Sequence, residues 1–278
     1  MTGVHGTESS AAPGQRDGLA RLRSVLGATA EVWAGRDGSA VREDRWSAIS
    51  GARCVDYNLI VCHSGAPGSV SDGIEELTGA KVPGVLMLAG SALGQAQTLV
   101  AAGWVCIGSA PFMELELDQT RPLLAPDASA ARPGGAGPSA AFRCRAEDLP
   151  EARAVIAEAF SLAPEHALVA LPPDTTERAE SAVWALRRSD GRVVSSLIAV
   201  RQDGAVAVWS MATLPEARRA GYGAAVLSAA LAHAAGVGTK RCLLYASEAG
   251  EPLYRALGFR ERERWQLWSR PRWVLGRA

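Results

Sequence analysis

The sequence predicts an α/β protein, a mixed sheet with helices on both faces, built twice along the chain. Three observations carry this. The second half alternates apolar strands and helices in the order β-α-α-β-β-β-α-β-α-β. Residues 82–104, VPGVLMLAGSALGQAQTLVAAGW, are echoed by residues 240–259, KRCLLYASEAGEPLYRALGF: an apolar strand, a small-residue turn, a helix, then glycine and an aromatic. Aligning Gly103 with Gly258 gives an offset of 258 − 103 = 155 residues, about the length of one domain. Between the two, residues 121–139 (RPLLAPDASAARPGGAGPS) gather Pro, Gly, Ala and Ser without periodicity and read as a linker.

The chain has 278 residues, about two average domains, and 48% of them are hydrophobic, enough for a core in each half. Residues 1–18 read as a disordered tail, 19–120 as a first domain and 140–278 as a second. Formal net charge is zero, which argues against a broad surface for nucleic acid or anionic membrane. The five cysteines form no C-x-x-C pair and read as buried free thiols in a reducing compartment. The N-terminus lacks the basic and apolar regions of a secretory signal, and no uncharged apolar run reaches the ~18 residues of a membrane span. A cytoplasmic protein is expected. Arginine and alanine dominate over lysine, as in GC-rich bacterial genomes.

In the second half AFRCRA is a short strand, and Asp148 is placed to cap the helix LPEARAVIAEAF, whose Leu149, Ala152, Val155, Ile156 and Phe160 share one face. PEHALVAL is a shorter helix closed by Pro172 and Pro173. AVWALRR, VVSSLIAV and AVAVWSMA are strands joined by SDG and QDG hairpin signals. Val226, Leu227, Ala230, Leu231 and Ala234 line the next helix, with Gly236 as its stop and His233 beside the stripe in a structural role. RCLLYAS, EPLYRALG and FRERERWQLW complete the order as strand, helix and strand, and Trp265, Trp268 and Trp273 read as core or interface aromatics.

The turn before the alanine-rich helix is the most informative stretch. Arg218-Arg219-Ala220-Gly221-Tyr222-Gly223-Ala224 places glycines at a helix N-terminus, where unpaired N–H groups and the helix dipole favour an anion. A dinucleotide fingerprint would need a third glycine where Val226 stands, and no Gly-Lys-Ser/Thr of a P-loop follows. An anion cradle and an ordinary strand-to-helix turn both remain open at this point.

With these residues in view, the second half resembles the GNAT superfamily of acyl-CoA-dependent N-acyltransferases. Its Arg/Gln-x-x-Gly-x-Gly/Ala signature is matched by Arg218, Gly221 and Gly223, and its Tyr-x-x-x-Gly-Phe helix end by Tyr254, Gly258 and Phe259. The resemblance covers residues 140–270 or so. It implies two tandem N-acyltransferase-like domains, the first degenerate, and acetyl-CoA as cosubstrate, with no metal. It implies that the amides of Arg218, Arg219, Ala220, Gly221, Tyr222, Gly223 and Ala224 hold the pyrophosphate of coenzyme A. The main chain of Met211, Ala212 and Thr213 would pair with the pantetheine arm and polarise the thioester, and Tyr254 would protonate the departing thiolate. Ser247 stands where the family frequently has asparagine, and the strand AVAVWSMA carries no acid to act as base. Glu158, Glu165, His166 and Glu180 lie where this fold shapes the acceptor pocket, each also readable as a solvated surface group. The first half has no such signature, and Leu99 occupies the tyrosine position. The activity implied is acetyl transfer to a primary amine of a small molecule or protein, by a monomer or homodimer that binds neither nucleic acid nor membrane. A non-catalytic acyl-CoA sensor is the rival reading.

Overall fold

The computed structural model describes residues 13–117 and 140–275, with side chains from residue 23 onward. In the first half α1 (Pro13–Ala34) leads into β1 (Ser39–Val41) and β2 (Arg45–Ile49), then β3 (Asn58–Cys62), α2 (Ser69–Gly79), β4 (Val85–Leu88), α3 (Ala96–Ala101) and the long β5 (Val105–Glu116). The second half runs β6 (Ala141–Arg143), α4 (Leu149–Phe160), α5 (Pro164–Ala170), β7 (Ser181–Arg187), β8 (Val193–Gln202), β9 (Ala205–Thr213), α6 (Tyr222–Gly236), β10 (Arg241–Tyr245), α7 (Glu251–Ala256), β11 (Arg260–Ser269) and α8 (Pro271–Leu275). From β6 to β11 this is the order the sequence predicts; α8 is not among the predicted elements. The expected linker lies outside the described residues. The expected tail does so only up to residue 12, because α1 begins at Pro13 and packs on β2, β8 and β9.

All eleven strands join one mixed sheet, in the order β1-β2-β3-β4-β11-β5-β10-β9-β8-β7-β6. The halves are interleaved at its centre. β5, from the first half, is antiparallel to both β10 and β11, while β11, from the second half, lies between β4 and β5. Each half therefore completes its sheet with a strand of the other. Glu114 of β5 is buried at this seam and accepts hydrogen bonds from Arg241 of β10 at 2.8 Å and Arg262 of β11 at 2.7 Å. Trp265 stacks on Phe112 with ring centroids 4.9 Å apart, and Trp268 is buried against β4. Trp273 lies in α8 and meets Trp104 edge-on. Trp265 and Trp268 fill core, as their sequence context predicts, while Trp273 is half-buried.

The predicted echo has a counterpart in the main chain. The 155-residue offset carries α7 onto α3, and Gly103 (φ 76°) and Gly258 (φ 94°) close the two helices in the left-handed region. Trp104 N–H bonds Leu99 C=O at 2.9 Å where Phe259 N–H bonds Tyr254 C=O at 3.0 Å.

Local chemistry differs from expectation at three points. Asp148 does not cap α4: its carboxylate accepts from Arg145 N–H at 2.9 Å and from Arg187, so it fixes the turn before the helix. α6 runs through Gly236, and the left-handed residue that ends it is Gly238 (φ 89°), with Thr239 N–H closing on Ala234 C=O. Cys106 is exposed, whereas Cys54, Cys62, Cys144 and Cys242 are buried thiols in no disulfide. The QDG turn behaves as predicted, with Asp203 and Gly204 at φ 48° and 73° joining β8 to β9. Eight consecutive buried residues open β8, so both its faces are covered. Among the described residues no single helix is long and apolar enough to cross a membrane.

Candidate functional site

The site is built where two parallel strands part. β9 and β10 pair only from Ala205↔Arg241 to Ala207↔Leu243. Beyond that point β9 stays with β8 as far as Thr213↔Ser195, and β10 stays with β5 as far as Tyr245↔Phe112. The cause of the divergence on the β9 side is a β-bulge. Trp209 pairs with Ile198 and Ala212 with Ser196, so Ser210 and Met211 oppose the single residue Leu197. Ser210 sits at φ 46°, in the left-handed region, and its hydroxyl donates to Ala170 C=O at 3.4 Å. A non-glycine residue held there is strained, and such strain clusters at functional sites.

α6 begins beside this opening. Its N-cap is Gly221 at φ 83°, preceded by Arg219 at φ 62°, so two left-handed residues turn the loop and leave the first N–H groups of the helix facing outward. A Cβ at Gly221 would meet no atom within 4 Å, so glycine is required there by the backbone angle and not by crowding. Gly223 has the opposite reason: a Cβ would lie 3.2 Å from Thr213 Oγ1 and 3.3 Å from Met211 Cε, so its absence lets α6 approach the end of β9.

The structure brings most of the predicted residues together and reassigns some of them. Met211, Ala212 and Thr213 form the edge of β9 beside the opening. Arg218 is not aimed at the helix terminus. Its guanidinium donates to the carbonyls of Thr213 and Ala159, both at 3.2 Å, bracing the loop against β9 and α4. Arg219, Ala220 and Gly221 are exposed, while Tyr222 and Ala224 are buried under the helix. The Ser247 hydroxyl accepts from Gly250 N–H at 3.2 Å, which spends it on the turn into α7. Tyr254 is buried on α7, and its hydroxyl donates to Met211 Sδ at 3.4 Å, across the gap between α7 and β9. A thioether is a weak acceptor, and burial together with the nearby Cys242 pushes the phenol above its ordinary range, so it stays protonated. Of the acceptor-side candidates, Glu158 pairs with Arg192 at 3.3 Å, Glu165 is exposed, and His166 and Glu180 are half-buried. His233 is exposed on α6 with its ring 5.4 Å from that of Trp184.

Two contributors were not foreseen. One is Ser210, since nothing in SMAT marks a residue for the left-handed region. The other is Tyr57 from the first half, a buried residue whose phenol lies near the Ser210 side chain. No local signal links residues so far apart in the chain.

With this geometry established, the comparisons with known proteins agree. Residues 179–261 match the model of the acetyltransferase (GNAT) domain, so the second half contains such a domain. The fold of nearly the whole chain is shared with a GCN5-related N-acetyltransferase from Kribbella flavida, at TM-score 0.64 and 21% identity over 89% of this chain and 95% of that one. A GCN5-related N-acetyltransferase from Sphaerobacter thermophilus gives TM-score 0.58 and 17% identity over 82% and 76% of the two chains. A tandem GNAT protein from the clavulanic acid biosynthesis pathway gives 0.54 and 15% over 92% and 93%. At these identities the neighbours share the fold. No curated protein matches the chain in sequence.

Proposed function

We propose that the second half transfers an acetyl group from acetyl-CoA to a primary amine by direct attack. The observation that carries this reading is the parting of β9 from β10 in front of the α6 N-terminus, with the Tyr254 phenol on the same opening. The residues fit the cosubstrate. The N–H groups of residues 219–224 suit a pyrophosphate, since the helix dipole and unpaired donors favour anions. The β9 edge at Met211, Ala212 and Thr213, which pairs with β8 but has no strand beside it on the β10 side, suits the amide-bearing pantetheine arm, which adds to a strand edge through main-chain hydrogen bonds. There the amine nitrogen bonds to the thioester carbon, a main-chain N–H of the bulge stabilises the oxyanion, and the C–S bond breaks. Tyr254 gives its proton to the leaving thiolate and is reprotonated by the proton that the amine sheds.

The test is thermal unfolding with and without acetyl-CoA, repeated on Gly221→Glu. At ~100 times its dissociation constant the ligand adds about 2.7 kcal/mol, a rise of roughly 5–10 °C for a chain of this size. The rise is expected in the wild type and absent in the variant. No rise in folded wild-type protein at saturating acetyl-CoA would end both the catalytic reading and the sensor reading.

A further inference from the structure

The gap between β9 and α7 is crossed by the side chain of Met211. This residue follows the strained Ser210 in the bulge, and its thioether accepts the hydrogen bond of the buried Tyr254 phenol at 3.4 Å. Its other end is held by α6. The terminal methyl Cε stands 3.3 Å from the point that a Cβ on Gly223 would occupy, and the same point is 3.2 Å from Thr213 Oγ1 and 3.5 Å from Leu253 Cδ2. An unbranched thioether side chain is ordinarily adaptable. Here it is half-buried and pinned at both its sulfur and its methyl, by the two helices that frame the opening.

This placement limits size. In the acyl-transfer reading the Tyr254 hydroxyl meets the thioester sulfur, and a main-chain N–H of the bulge meets the carbonyl oxygen. The acyl carbon is bonded to both of those atoms, so it lies between the phenol and the bulge. Met211 is there twice, with its main chain in the bulge and its side chain on the phenol. A methyl on the acyl carbon adds little bulk. Each further methylene must displace a side chain that is already packed, and one methylene in a closely fitted site changes selectivity about 10- to 200-fold.

We propose that Met211 is the specificity-determining residue for the acyl group: its side chain walls the thioester end of the site and admits acetyl in preference to longer unbranched chains. This rests on the acyl-transfer reading above and adds to it a limit on the donor and the residue that sets it. Gly223 serves the same end, because without a Cβ it lets α6 close on the Met211 methyl.

The experiment is isothermal titration calorimetry of the full chain with coenzyme A, acetyl-CoA, butyryl-CoA and hexanoyl-CoA, which needs no acceptor amine. The wild type is expected to bind acetyl-CoA about tenfold or more tightly than butyryl-CoA, and hexanoyl-CoA more weakly still. In Met211→Ala the difference between acetyl-CoA and butyryl-CoA should shrink to about threefold or less, with the affinity for free coenzyme A unchanged. Met211→Val, intermediate in size, should fall between the two and serves if the alanine variant does not fold. Met211→Leu keeps most of the volume without the sulfur and should discriminate as the wild type does. Equal binding of acetyl-CoA and butyryl-CoA by the wild type would overturn the proposal, as would undiminished discrimination in the smaller variants. Loss of discrimination in Met211→Leu would overturn it too, by placing selectivity on the sulfur and not on bulk. A wild type that binds neither coenzyme A nor acetyl-CoA would instead overturn the acyl-transfer reading beneath it.

Discussion

The two halves build the same strand-helix-strand unit and use it differently. In the first, β3 and β4 stay paired from Leu59↔Val85 to Cys62↔Leu88, and Ala89 N–H extends the ladder to Cys62 C=O at 2.9 Å. In the second, β9 and β10 separate after Ala207↔Leu243. The helix that follows opens on a left-handed glycine in both, Gly68 at φ 89° and Gly221 at φ 83°. The distances leading to it differ: 68 − 62 = 6 residues from the last paired position in the first half and 221 − 207 = 14 in the second. The extra residues of the second half are the bulged arm of β9. In the first half the short loop is tied down instead. Gly65 N–H donates to Ser91 Oγ at 2.7 Å and Gln95 Nε2 to Gly65 C=O at 2.7 Å. The two halves thus share a helix terminus led by a left-handed glycine and differ in whether an opening lies in front of it, because the opening depends on where one strand stops pairing.

This contrast can be broken at several points. The largest effect is expected at the paired positions Tyr254 and Leu99. Tyr254→Phe should lower turnover by about 10²-fold or more, the usual contribution of a positioned general acid, with acetyl-CoA affinity retained. Leu99→Tyr should create no second activity. A Tyr254→Phe variant as fast as wild type would remove the proposed acid. Next is the seam. Glu114→Ala leaves Arg241 and Arg262 without their shared carboxylate and should cost about 1–2 kcal/mol, since both guanidiniums reach solvent, read by urea denaturation as a lower midpoint in one cooperative transition for both halves. A separate early transition of one half would contradict the interleaving.

Gly68→Ala sharpens the comparison with Gly221→Glu. It forces alanine into the left-handed region and should destabilise by about 1 kcal/mol, yet leave the acetyl-CoA shift intact. If it abolished the shift, the first half would be a binding site too. The smallest effect is expected at Asp44. Burial works against its charge, but the Arg45 guanidinium 2.7 Å away outweighs this and holds the carboxyl below its ordinary range. A depressed folded pKa stabilises above the unfolded value and is lost as pH falls through the folded one. Asp44→Asn should therefore cost less than about 1 kcal/mol at neutral pH, and its stability should converge with wild type below about pH 4. A constant difference across that range would show that the cost is packing and not charge.

How much of this was legible is clearest by element. The order of strands and helices in the second half follows from apolar period and turn residues, as with the QDG hairpin and the helix ending at Gly258, because these are decided by neighbours in the chain. Gly221 and Gly223 were legible as a pair, but the reasons for them were not: one answers to a backbone angle, the other to the approach of Met211 and Thr213. Arg218 was legible as part of a motif, whereas its use as a brace on two carbonyls depends on where α4 ends. Asp148 carried the signature of a cap, but Arg187, on a strand that comes later, competes for its carboxylate.

The sequence by itself determined the periodicities, the glycine positions, the internal echo and the motif at the start of α6, since each is written in residues close together. Only the tertiary structure decided that β5 and β11 exchange partners between the halves, that β9 leaves β10 after Ala207 and then bulges at a strained serine, and that Tyr57 of the first half comes to lie near that bulge. The first and the last are set by packing between segments more than a hundred residues apart, the second by the register of β9 against β8 and β10, and no local pattern of side chains encodes a register.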